Sequence, residues 1–289
     1  MRRPLRLALP PVLLLLGAAQ AAAAALPVAV TLHPLALVVR EVGGEDVAVQ
    51  VLVPPGASPH TFEPRPSDVA RLTDAALFVR AGGGADHWAA GLADAAPEVP
   101  QLVFAEVLDA RMPDVPRAHA WLDPLAVRDA LAPAVAQRLA ALDPERADAY
   151  RTRLADFQAR LTALDREVRG ILAEAPGRHF VALHAAWDAF ARRYDLEMAG
   201  VVEAAPGQEP SPGRVAALVE TARRLGVPAI VVEPQLSPRV ARVIAAEFGG
   251  EVVTADPLGD PDDPERDTYA ELVRFDARRF REAVGGGRP

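Results

Sequence analysis

DPERADAYRTRLADFQARLTALDREVRGILAEA, residues 143–175, is the stretch on which the fold turns. Its apolar residues Ala147, Tyr150, Leu154, Phe157, Leu161, Leu164, Val168 and Ile171 recur in alternating steps of three and four. That spacing keeps one narrow stripe on one face of a helix. Asp143 stands where an N-cap belongs, Pro144 at the first helical position, and Pro176-Gly177 closes the far end. At 1.5 Å per residue such a helix is about 45 Å long, more than one small domain is wide. It is expected to run between two lobes. A coiled-coil seam would need its heptads to continue, and the flanking sequence returns at once to short strand-like runs. An amphipathic helix lying on a single domain is the other reading, and only the likeness of what lies on either side argues against it.

On the N-terminal side, VAVTL (28–32), AVQVLVP (48–54), AALFVR (75–80) and QLVF (101–104) read as strands. They alternate with helix-like stretches and with turns such as Gly43-Gly44 and Gly82-Gly83-Gly84. Residues 106–118 read as irregular, and a helix is expected after Pro124. On the C-terminal side HFVAL (179–183), LEMAGVV (196–202), AIVVE (229–233) and EVVTA (251–255) alternate with helices in the same way. Such alternation implies parallel pairing. The expected fold class is α/β, two lobes that each hold a mainly parallel four-stranded sheet flanked by helices, bridged by one long rigid helix. The division is an N-terminal lobe over 26–142, the linking helix over 143–175 and a C-terminal lobe over 176–289. No residue-level repeat relates the lobes.

Residues 1–25 read as an export signal. Arg2, Arg3 and Arg6 precede the apolar run Leu7 to Leu16, and a small-residue tract, Ala18 to Ala25, follows. The apolar run is too short for a permanent membrane span. A soluble, exported, periplasmic protein is expected. The chain has no cysteine, which excludes a disulfide framework, a thiolate metal site and a lipoprotein anchor. Its formal net charge is −8, and every basic residue is arginine. An acidic chain without basic clusters argues against nucleic acid or an anionic membrane surface as partner and suits a diffusible cation.

In open parallel sheets ligands bind beyond the carboxyl ends of the strands. The polar residues there are His60, His184, Glu233 and Asp256, with His119 on the loop leading into WLDP (121–124). Three imidazoles with a carboxylate suit a borderline divalent metal. Spacing alone carries little weight, because these histidines are scattered over more than a hundred residues and no HExxH is present.

Six segments add a resemblance. PHTFEPRPSDVARL (59–72), HAWLDP (119–124), ALHAAWDAFARRYDLEMAGV (182–201), EPSP (209–212), VVEPQLSP (231–238) and TADPLG (254–259) are similar to successive signatures of the zinc- and manganese-binding solute receptors of metal ABC transporters. The match runs from about residue 27 to the C-terminus. It implies two α/β lobes, a metal in the cleft between them, and delivery to an ABC permease in the inner membrane. His60, His119, His184 and Asp256 fall on the family's ligand positions. The resemblance implies a binding protein with Zn²⁺ as transported ligand, because zinc receptors carry His where manganese receptors carry a carboxylate at the position of His184. A manganese- or iron-binding sibling is the alternative. The sequence departs from many zinc receptors in having no His in EVLDARMPDVPRA (106–118), and from some in having Pro59 in place of Glu.

A zinc hydrolase would need an open fourth position, which Asp256 as a fourth ligand would close. A surface adhesin would want an anchor. No catalytic residue is therefore assigned; a monomer is expected, and a zinc metallochaperone is left open as a further partner. Asp123, Glu203, Glu209 and Glu233 are candidates to orient the imidazoles, with helix capping as the competing role. His33, His87 and His179 are read as non-ligands. Because ligation needs neutral imidazole, metal uptake is expected to fall below about pH 6.

Overall fold

The computed structural model describes residues 24–203, 208 and 210–285. Residues 1–25, read as an export signal, lie almost wholly outside these, and so does Glu209. Eight strands, β1 Leu26–Val30, β2 Val47–Val51, β3 Leu77–Arg80, β4 Gln101–Val103, β5 His179–Ala182, β6 Glu197–Val201, β7 Ala229–Val232 and β8 Glu251–Thr254, form two sheets. Their orders are β2-β1-β3-β4 and β6-β5-β7-β8, parallel throughout, so the two halves share one topology.

In the first half the helices are α1 His33–Gly43, α2 Pro66–Thr73, α3 Trp88–Asp94, α4 Phe104–Arg111, α5 Pro124–Ala126 and α6 Ala132–Leu142. The long helix is α7, Ala147–Ala173, and α8 Asp188–Arg193, α9 Pro212–Leu225, α10 Arg239–Phe248 and α11 Tyr269–Gly285 follow it.

Period-two alternation decides which core each strand residue joins. Val28, Val30, Leu77 and Val79 of the first sheet, with Phe180, Ala182, Ala229 and Val231 of the second, face one continuous core that contains the buried face of α7. Their neighbours face outward into two smaller cores: Ala29 and Phe78 with Leu72, Leu92 and Ala93 of α2 and α3, and Val181, Ile230 and Val232 with Val219, Ala222 and Ile244 of α9 and α10. The halves are therefore fused along α7, which packs against α1 and α6 of the first half and α11 of the second.

Four expectations change in detail. Asp143 caps no helix N–H; its carboxylate is taken by the Arg146 guanidinium and, at 3.1 Å, by the Tyr150 hydroxyl. A charge-assisted bond outcompetes the backbone donor. A 3₁₀ turn, Pro144–Arg146, leads into α7 instead. At the other end Leu172 is buried and Ile171 only half so, because the apolar steps widen to four after Leu164. Residues 104–111, read as strand end and irregular chain, form α4, which buries Phe104, Ala105 and Leu108. The helix after Pro124 contains a π-turn over Val127–Leu131 between α5 and α6.

Candidate metal centre

Each histidine of interest sits on a loop held by its neighbours. His60 lies in a 3₁₀ turn, Pro59–Thr61, beyond β2. Trp88 fixes that turn, since its Nε1 donates to the Pro59 carbonyl at 2.9 Å and its ring lies 4.7 Å from that of Phe62. The loop after β3 is tied down by buried Asp86, which accepts from Thr31 Oγ1 and from the Ala81 and Gly82 amides at 2.6–2.8 Å. Gly83 adopts φ +62, and a Cβ there would stand 2.8 Å from the Arg117 carbonyl. This close approach brings the first sheet's loops against the chain leading to His119.

His119 has φ 52, one of two non-glycine residues with left-handed backbone among those described. Such strain persists only where the surroundings impose it, and it concentrates at functional positions. Downstream, Trp121 imposes order: its Nε1 donates to the Pro257 carbonyl at 2.7 Å and its own carbonyl accepts from Tyr269 Oη at 2.8 Å. Both bonds cross from the first half to the second. His184 follows β5 directly, with Leu183 N bonded to the Val231 carbonyl at 2.8 Å.

The three imidazoles converge. Their ring centroids are 5.5 Å (His60–His119), 4.7 Å (His60–His184) and 5.2 Å (His119–His184) apart. One nitrogen from each lies within 4.8 Å of the others. His60 Nε2 and His119 Nδ1 are buried with no hydrogen-bond partner. Buried polar atoms are normally satisfied, so two orphans on converging rings call for a ligand. A divalent cation that prefers nitrogen fits this donor set.

Burial pushes the His60 imidazole down to about 4, with His184 and His87 adding to the effect against the Gly84 backbone. His119 is held well below its ordinary value by burial first, then by His184 and His60. Both are therefore neutral and ready to ligate at pH values where a free imidazole would be charged. This moves the expected acid threshold for His60 and His119 below pH 6.

Glu233, at the end of β7, is 2% exposed and stands 3.6 Å from His184 Nδ1 through Oε1. Neither of its oxygens has a hydrogen-bond partner. Burial raises its carboxyl pKa, against the pull of His184. Asp256 follows β8 and is 1% exposed, but it is not one of the converging group. Its Oδ2 accepts from Arg266 Nη1 at 2.7 Å, and its Oδ1 accepts from Gln235 Nε2 and from Leu258 N at 3.0 Å each. Its own amide donates to Asp276 Oδ1 of α11 at 2.8 Å. Gln235, Arg266 and Asp276 escaped sequence reading, because nothing in their spacing from Asp256 marks them.

The remaining candidates separate. Asp123 is a helix cap, its Oδ1 accepting from Leu125 N and Ala126 N, so capping is the role seen for it. His179 pairs with Glu197 at 3.0 Å at the opposite end of β5. His87 is exposed, and His33, at the start of α1, is not among the converging imidazoles.

Comparison with known proteins adds the following. Residues 28–283 match the family model described as zinc-uptake complex component A, periplasmic. A putative metal-binding protein of Treponema pallidum is 30% identical over 248 residues, 79% of this chain and 78% of that one. A manganese-binding lipoprotein, MntA, of Halalkalibacterium halodurans is 26% identical over 252 residues, 84% of this chain and 83% of its own. Among solved structures, a crystal structure of ZnuA superposes with TM-score 0.78 at 31% identity, covering 90% of this chain and 99% of that one.

Proposed function

The chain belongs to the family of periplasmic zinc-uptake component A proteins, metal-binding receptors of ABC-type uptake rather than enzymes, and from that premise we propose that its cargo is Zn²⁺. Such receptors work with ABC permeases. In our reading His60, His119 and His184 hold the ion and Asp256 supplies the fourth ligand from the second half, so that capture joins the two halves at the cleft. The observation that carries this is the convergence of one nitrogen from each of three imidazoles within 4.8 Å, on rings of which His60 and His119 each hold a buried nitrogen without a hydrogen-bond partner.

Zinc rather than manganese follows from donor chemistry. Three neutral nitrogens suit zinc, whereas manganese favours oxygen donors. Kinship alone does not choose, since relatives named for each metal exist. Residence outside the cytoplasm accords with the reading of residues 1–25 as an export signal, and among the described residues no helix is long and apolar enough to cross a membrane. Loading by a metallochaperone is not required by this scheme.

Native mass spectrometry of the purified protein with zinc, manganese and iron in competition tests the assignment. The expected result is one zinc per chain and little of the other two. Preferential manganese or iron would overturn the zinc assignment, and no metal at all would overturn the site.

A further inference from the structure

Asp256 is fully engaged by protein donors, and one of them is a cation. Arg266 lies at the end of an acidic loop, 260–266, and its guanidinium is divided between two sides. Its Nη1 bonds Asp256 Oδ2 at 2.7 Å. Its Nε and Nη2 bond Asp263 Oδ2 at 2.9 and 2.8 Å, Asp260 stands 3.6 Å from Nη2, and the group rests 5.2 Å over the ring of Phe275. Only one nitrogen reaches the cleft carboxylate. The others are held on the loop, so the guanidinium keeps its charge compensation whether or not Nη1 stays on Asp256.

We propose that Arg266 sets the metal affinity of the cleft by competing with the incoming divalent ion for Oδ2 of Asp256. The inference rests on the reading that Asp256 is the fourth ligand. Two cations contest one carboxylate, and like charges at ion-pair distance oppose each other strongly where water is scarce. An arginine is suited to the part because it stays protonated at any physiological pH, so its competition does not vary with proton concentration. Gln235 and Leu258 N, both on Oδ1, keep the carboxylate aimed while Oδ2 changes partner. The site thereby binds its ion less tightly than its four ligands alone would. Release to a partner then needs less work, because Arg266 is at hand to take the carboxylate back.

Chelator-competition measurements of zinc affinity on the intact protein and on Arg266→Gln, Asp256→Asn and the double variant test this. Arg266→Gln is expected to tighten zinc binding about tenfold, and the gain is expected to vanish in the Asp256→Asn background. Unchanged or weaker binding in Arg266→Gln overturns the proposal, as does a gain that persists without the Asp256 carboxylate. Failure of the underlying reading looks different: Asp256→Asn would then bind zinc as tightly as the parent chain. Should Arg266→Gln fail to fold, the side-chain guanidinium resonance of Arg266 in the parent protein decides the matter. Zinc addition is expected to shift it, and a signal indifferent to zinc overturns the exchange.

Discussion

At His184 the donor atom bears on which metal the cleft prefers. His184→Glu replaces a neutral nitrogen donor by a carboxylate, and we expect zinc affinity to fall about 100-fold while manganese loses far less. Calorimetric titration with each metal checks it; an unaltered zinc constant would remove His184 from the ligand set. Glu233 behind it has a supporting part. A ligating imidazole is oriented by what its other nitrogen meets, and here Nδ1 meets Glu233 Oε1 at 3.6 Å. Glu233→Gln is expected to weaken zinc binding about tenfold or more, read by chelator competition, while leaving the thermal midpoint of the metal-free protein close to the parent's. Legibility at this scale was uneven. His60 and His184 could be found because each follows a strand in a parallel sheet, a place where ligands gather, whereas His119 lies beyond α4 and was found on the loop leading into WLDP. Glu233 was visible for the same reason. The Asp256–Arg266 pair was not, since it depends on how an acidic loop folds back, and loop geometry has no periodicity to read.

Among the elements, α7 was the most legible because a 27-residue helix repeats its apolar step many times over. The strands were legible as short β-branched runs bounded by turns. α4 was hidden, since eight residues give barely two turns of pattern and its first residue, Phe104, also reads as a strand end. What α7 does beyond its apolar stripe lies in a polar residue within it. Asp165 is 6% exposed and accepts from Arg193 Nε and Nη2 of α8 at 2.7 and 2.6 Å. This clamps the helix to the element that follows the His184 loop. Arg193→Ala removes both charge-assisted bonds from a nearly buried carboxylate, leaves it only Arg169 at 3.6 Å, and is expected to cost roughly 2–4 kcal/mol, measured as a lowered urea midpoint. Loss of under about 0.5 kcal/mol would mean the pair is merely a surface contact.

For the molecule as a whole, two sheets of identical strand order share one core along α7, while bonds such as Trp121 to Pro257 tie the halves at the cleft. Opening is accordingly expected to be a small rotation. The buried histidines also give the whole fold a pH dependence. His60 and His119 are held below the unfolded value of 6.5, so the unfolded chain binds protons that the fold refuses. Stability then rises with pH: their penalty is absent well above 6.5 and grows as pH falls toward about 4, the value to which His60 is lowered. In the presence of chelator the melting temperature is expected to drop between pH 7.5 and 4.5, and the drop is expected to shrink in the His60→Gln/His119→Gln double variant. An equal drop in both proteins would place the acid sensitivity elsewhere.

Zinc K-edge X-ray absorption on protein loaded with one equivalent of zinc tests the convergence of the three imidazoles most directly. The spectrum predicted here shows three imidazole nitrogens and one oxygen at about 2.0–2.1 Å. A first coordination sphere with one imidazole or none, or a sphere unchanged in the His60→Ala/His119→Ala/His184→Ala variant, would contradict it.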